Sequence, residues 1–365
     1  MMPSRSMRRV VLLSSACVVG PSALGAQVHG VETEAIGAAR SAVQSFMETH
    51  TVPGISVAVA IDTHIVWSQG FGYADLRDST PVSAETQFRV GSISMALTAA
   101  GVGLLLERQQ LSLSTPIRRY VPAFPHKRHD IAVGQVAGHM GGIRHYRGEE
   151  FYSTRHYNSI AEGLEIFARD SLEYEPGTRF SFSSYGWNLL SAAIESVAKQ
   201  DFLVFMQREV FDALGLRGTQ ADHVDVDFPN RTRFYQLNDA QVIEEAPFVD
   251  NSYKWASGGF LSTPNDLVRF GLAHLGSDFL SPKTVKRLWT SQRTNDGVET
   301  GYGIGWWVGR DADGRRVVSH TGSSVGGRAI LLIYPDDRVV VAVLANRSGV
   351  RFRGLPQEIA EAFIQ

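Results

Sequence analysis

Phe88-Arg89-Val90-Gly91-Ser92-Ile93-Ser94-Met95-Ala96-Leu97-Thr98 joins two kinds of pattern. A strand-like run ends at Gly91, and an apolar helical run starts at Ser92 and continues to about Glu107. The first turn of a helix carries amides with no partner inside the helix, together with the positive end of the dipole. A serine held there sits where a hydroxyl can become an oxyanion. The same serine can also be a plain N-cap. Met95 follows one turn later, on an apolar face where methionine ordinarily fills a core.

Working outward, Ile36, Ala39, Val43, Phe46 and Met47 recur at helical spacing from about Glu32 to His50, and Pro53-Gly54 ends that helix. Residues 55–61 form a continuous β-branched-rich run, which predicts a strand buried on both faces. Residues 64–70 and 71–74 read as further strands. Helices are expected over 131–137, 160–169, from Asn188 through about Ala198, over 202–214, and from the N-cap Thr263 followed by Pro264. Residues 231–248 read as a β excursion and 254–260 as a Gly-rich turn. Toward the C-terminus, 303–309, 317–320, 327–334 and 338–345 have strand character, and a helix closes the chain over 355–363. The expectation is an α+β fold: one antiparallel sheet built from both termini, flanked by helices, with a mostly helical second region and a cleft between the two.

The chain has 365 residues, 44% hydrophobic and 20% charged, with a formal net charge of −2, and nothing in that balance suggests a nucleic-acid partner or a polybasic membrane surface. Arg5, Arg8 and Arg9 precede an apolar run from Val10 to about Val19, and Ala23-Leu24-Gly25-Ala26 follows. This reads as an export signal over 1–26, leaving 27–365 as one periplasmic or secreted domain without a stable membrane span. Cys17, the sole cysteine, lies inside the leader, so the mature chain has neither a disulfide nor a thiol nucleophile. The eleven histidines show no metal-ligand spacing; no metal and no cofactor is implied.

Four blocks stand in order: Phe88-Arg89-Val90-Gly91-Ser92-Ile93-Ser94, Gly142-Ile143-Arg144-His145-Tyr146, Tyr253-Lys254-Trp255-Ala256 and Ser319-His320-Thr321-Gly322. With them the chain resembles the β-lactamase-related serine hydrolases, which include class C β-lactamases, D-alanyl-D-alanine carboxypeptidases and esterases, and it lies nearest the mitochondrial lactamase-like serine protease. The resemblance runs from about Thr33 to Ile364. It implies that Ser92 is the nucleophile of an S-x-x-K motif. It also implies that His320-Thr321-Gly322 lines the opposite wall, and that the amides of Ser92 and Ser323 bind the oxyanion. Ser184, Tyr146, Thr321 and Gly322 would contact substrate.

Two positions depart from the motif. Met95 stands where the lysine should be, and Phe182 where the Y-x-N tyrosine should be. Neither side chain can carry a proton. The resemblance therefore implies an exported serine hydrolase of reduced or altered activity on small esters, amides or peptides. The alternative is a non-catalytic cleft that binds acyl or peptidoglycan-like ligands. His320, Tyr185, Tyr146 and Lys254 are the candidate surrogate bases by motif proximity, with Lys254 read first as a surface or supporting residue. Arg144, His145 and Tyr146 read equally as cleft rim or loop scaffold.

Overall fold

The computed structural model describes residues 23–364. The expected leader lies outside the described residues apart from 23–26, which open the first helix. That helix, α1 (Ala23–His50), begins earlier than its apolar spacing marks and ends before Pro53. Among the described residues no helix is long and apolar enough to cross a membrane.

Seven strands form the main sheet: β1 (Gly54–Ile61), β2 (His64–Asp75), β3 (Thr80–Pro81), β4 (Trp307–Arg310), β5 (Arg316–Ser324), β6 (Gly327–Tyr334) and β7 (Val339–Ala345). Their spatial order is β3-β2-β1-β7-β6-β5-β4. The two ends of the chain meet where β1 pairs antiparallel with β7, Ala58 opposite Ala342. The continuous apolar runs of these strands have the predicted reason: both faces are covered. Val57 and Val59 join Val341 and Val343 in the layer under α1 and the terminal helix α5 (Leu355–Phe363). Ala58 and Ala60 join Val340, Ala342 and Leu344 in the core shared with the helical region. Each fully buried Val, Leu or Ile contributes about 1.5–3 kcal/mol relative to an exposed one.

Within the helical region, α2 (Ile93–Glu107) is buried at every position from Ile93 to Gly103. A helix apolar on all sides belongs in a core. Its two hydroxyl groups are used internally: Thr98 donates to the Ala256 carbonyl at 3.1 Å, and Ser94 Oγ accepts from the Phe260 amide at 3.3 Å. These bonds clamp the 256–260 segment to the helix that begins after Ser92. Helix α3 (Ser184–Ala198) starts at the N-cap Ser183, and α4 (Pro264–Ala273) at Thr263, whose hydroxyl accepts from Asp266 N at 3.1 Å.

Several expected boundaries change. The 160–169 helix stops at Leu164, whose carbonyl takes the amides of both Phe167 and Ala168. The 131–137 helix starts at Val133, because Ile131 and Ala132 bridge to 116–117. The 202–214 helix is α-helical only over Phe202–Met206 and widens into a π turn over Gln207–Asp212. The β excursion narrows to a hairpin, Tyr235–Leu237 with Ile243–Glu245, and the 303–309 strand to Trp307–Arg310. The expected Gly-rich turn at 254–260 is instead a 3-10 turn, Ser252–Lys254, running into a short helix, Trp255–Gly258.

Candidate active site

The strand Phe88–Arg89, paired with Phe260–Ser262, delivers the chain to Gly91. There φ is +51°, a backbone state that favours glycine. The next residue, Ser92, opens α2 without using its hydroxyl as a cap. The first-turn amides are served by backbone instead: Ile93 N by Val90 O, Ser94 N by Gly91 O and Met95 N by Ser92 O. The plain N-cap reading of Ser92 is therefore corrected, and the hydroxyl is left to the cavity it lines.

Strand β5 presses directly on this turn. A Cβ on Gly91 would stand 2.6 Å from Ser323 N, and a Cβ on Gly322 only 1.7 Å from Val90 O and 3.1 Å from Ser92 N. This contact brings the Ser92 and Ser323 backbones together, and it needs glycine at 322 because the obstacle is main chain. Gly322 is thus buried against Val90, while its neighbours Thr321 and Ser323 line the cavity. Gly322→Ala should lower stability by about 1–3 kcal/mol through overpacking. Thermal unfolding checks this, and an unchanged midpoint would contradict the contact.

The cavity at Ser92 has a volume of about 460 Å³. His145, Tyr146, Phe182, Ser184, Lys254 and His320 line it with the serine. The structure brings these sequence-predicted residues together but leaves Met95 out. That side chain is 0% exposed and belongs to the main core. Phe182 lies against His139, ring centroids 4.3 Å apart, and edge-on to His145. Its aromatic body is in the wall without a hydroxyl.

His145 and His320 in this wall, and His139 buried behind Phe182, have each committed a lone pair. His320 donates from Nδ1 to its neighbour's carbonyl, Thr321 O, at 2.8 Å, so Nε2 accepts from the Tyr302 hydroxyl at 3.0 Å. Burial pushes its pKa down to about 4. His145 Nδ1 accepts from Ser184 N at 3.2 Å, and His139 Nδ1 from Ser183 N at 3.1 Å. The expectation of His320 as a proton carrier for Ser92 is therefore corrected: it orders the wall. Tyr185 is also withdrawn, since its hydroxyl donates to Glu150 Oε2 at 2.8 Å.

The block 144–146 divides. Arg144 is scaffold, bonded to Asp170, to both Glu150 oxygens and to the Ile166 carbonyl. Next to it, Tyr146 lines the cavity, and burial pushes its phenol up to about 12, against the opposing pull of the Ser184 and Ser257 hydroxyls. The surface part of the Lys254 reading is corrected too. It is 2% exposed yet lines the cavity. Its amine makes one long bond, to Phe151 O at 3.4 Å, and sits 4.5 Å from the Phe151 ring and 5.0 Å from that of Tyr253.

Sequence reading missed Phe151, Ser257, Trp307 and Arg328 on the same wall. For Arg328 a signal existed: the tight Val325-Gly326 hairpin sets it opposite Ser323. Its Nη1 donates to the Ser323 hydroxyl, and its buried Nε has no partner among the described residues.

Comparison with known proteins finds relatives that match most of the chain. The family model described as Beta-lactamase matches residues 39–363. The serine beta-lactamase-like protein LACTB, mitochondrial, of Bos taurus is 28% identical over 90% of this chain and 79% of its own length. The octameric penicillin-binding protein homologue of Pyrococcus abyssi superposes with a TM-score of 0.78 at 26% identity, covering 90% of this chain and 77% of that one. EstCE1, a hydrolase with promiscuous acyltransferase activity, shares the fold with a TM-score of 0.79 at 20% identity, over 92% of this chain and 99% of its own.

Proposed function

Since the chain belongs to the β-lactamase family, we propose that it is an exported serine hydrolase of altered activity, in which Ser92 accepts the acyl group of small esters, amides or peptides. One observation carries this reading: the Ser92 hydroxyl, free of capping, lines a cavity whose other wall presses the Ser323 backbone against the Ser92 turn. Two backbone amides so placed act on the oxyanion of an acyl transfer. Arg328, with its unpaired Nε in the same wall, favours substrates carrying a carboxylate.

The magnitudes bound what such a site does. A general base contributes about 10² to 10⁴ in rate. The oxyanion hole and binding retain roughly 10³ to 10⁴ over water when proton carriers are stripped from a serine hydrolase. Activated esters are therefore the first substrates, ahead of unactivated peptides. The second reading, a cleft that binds acyl or peptidoglycan-like ligands without turnover, draws on Met95 in the core and the missing hydroxyl at Phe182. A fluorophosphonate probe separates the two. Covalent labelling that disappears in Ser92→Ala is the expected result, and a folded protein that never labels supports the binding reading.

A further inference from the structure

We propose that Lys254 is the base that takes the Ser92 proton, with Tyr146 as the phenol that relays it to the leaving group; this rests on Ser92 being the nucleophile. The lost functions of positions 95 and 182 would then be met from the Tyr146 loop and from the turn before the Trp255 helix.

The argument begins with the titratable groups that line the cavity: His145, Tyr146, Lys254, His320 and Arg328. A guanidinium cannot be a base in a protein. In their neutral forms His145 and His320 have already given their lone pairs to Ser184 N–H and Tyr302 O–H. Tyr146 keeps its proton at neutral pH. Lys254 alone among them has a nitrogen that accepts from nothing, since its one bond is a donation to Phe151 O.

The surroundings of the amine favour its neutral form. Three rings stand over it, those of Phe151, Tyr253 and Tyr146, the last at 5.6 Å; they exclude water from the amine, which disfavours its charge, while their faces attract the charged form. Among the described residues no carboxylate bonds it. Asp222, the acid behind it, is taken by Arg89 Nε at 2.6 Å, by Asn251 and by Arg231. The remaining charged or titratable neighbours are Arg89 on the nucleophile strand, His145 and Tyr146 on the Arg144 loop, Tyr253 beside it, and Glu150, which is held by Arg144 and Tyr185. Burial first, then the Arg89 charge, pushes the ammonium down to about 7, with Asp222 opposing.

Reach is set by Gly258. A Cβ there would stand 3.9 Å from both Lys254 Cδ and the Gly91 carbonyl carbon, so the lysine stem and the residue before Ser92 border one small gap.

The step balances. Ser92 Oγ bonds to the acyl carbon as its proton passes to the Lys254 amine. The ester C–O bond breaks, the leaving alkoxide takes the Tyr146 proton, and the Lys254 ammonium reprotonates Tyr146. Water then gives a proton to Lys254, its oxygen bonds to the acyl carbon, and Ser92 leaves with that proton. One ester and one water become one acid and one alcohol, with both side chains restored.

The test is the rate of Ser92 modification by a fluorophosphonate, and of p-nitrophenyl and ethyl ester hydrolysis, from pH 6 to 8.5 in the full chain. A base must be neutral, so the wild-type rate should rise through about pH 7 and level above it. Lys254→Met should lose at least about 10²-fold at pH 8, together with the rise. Lys254→Arg should lose as much, because its charge never leaves. Tyr146→Phe should spare the p-nitrophenyl ester and cost about tenfold or more on the ethyl ester, whose leaving group needs the proton. A folded Lys254→Met with wild-type rate and profile overturns the proposal, while loss of labelling in Ser92→Ala keeps the nucleophile reading. Should Lys254→Met not fold, a wild-type profile that is flat across this range overturns it equally. Folded wild-type protein that never labels overturns both.

Discussion

Met95→Lys combined with Phe182→Tyr should raise ester hydrolysis by at least about tenfold, toward the 10⁴ that a full base contribution allows. Position 95 lies one helical turn from Ser92 on α2, and side chains three apart share a helix face. The site is wholly buried, so a lysine there is held toward its neutral form. Phe182 already lines the cavity between His139 and His145, which leaves its substitution to add a hydroxyl without moving a wall. The amine replaces a core thioether, so stability should fall by about 0.5–3 kcal/mol. Steady-state kinetics with a p-nitrophenyl ester and a thermal melt check both halves. A folded double mutant with no gain would contradict the alignment of these two positions with the family's motif. In this background Lys254→Met should cost much less than in the wild type, because a second amine now serves Ser92.

The next large effect is on stability. Asp222 is 0% exposed and accepts from Arg89, Asn251 and Arg231. Arg89 precedes the nucleophile turn, and Asn251 precedes the turn carrying Lys254. One carboxylate therefore ties both halves of the site. Asp222→Ala strands the Arg89 guanidinium in the interior, left with the Val325 carbonyl and the Phe234 ring. Breaking one side of a buried pair costs about 3–5 kcal/mol. Urea unfolding should show that loss, with Asp222→Asn losing less; a loss below about 1 kcal/mol in Asp222→Ala would contradict the role. Asp222 also opposes the fall in the Lys254 pKa. Its removal should move the rising limb of the rate profile to lower pH, because the amine then sheds its proton earlier.

Much of the fold was legible because it repeats locally. The continuous apolar runs of β1 and β7, the all-apolar α2 and the Thr263-Pro264 helix start each follow from residues within one element. The errors came where long-range contacts set the local state. Trp255–Gly258 looks like a loop by its glycines, yet bonds from Thr98 and Ser94 of α2 hold its carbonyl and the following strand in place. His320 stands on the wall as expected, but Tyr302, eighteen residues before it, occupies the nitrogen that a base would need.

The sequence by itself determined the architecture, the place of Ser92 at the head of a buried helix, and side chains without a titratable group at Met95 and Phe182, where the resemblance expects an amine and a phenol. Those properties are carried by neighbouring residues and by residue type. Only the tertiary structure decided that Lys254 is buried against the carbonyl of Phe151, 103 positions away, and that the cleft histidines His145 and His320 have spent their lone pairs. The physical reason is that a proton's free energy depends on desolvation and on hydrogen-bond partners, and both are fixed by which distant segments the fold packs together.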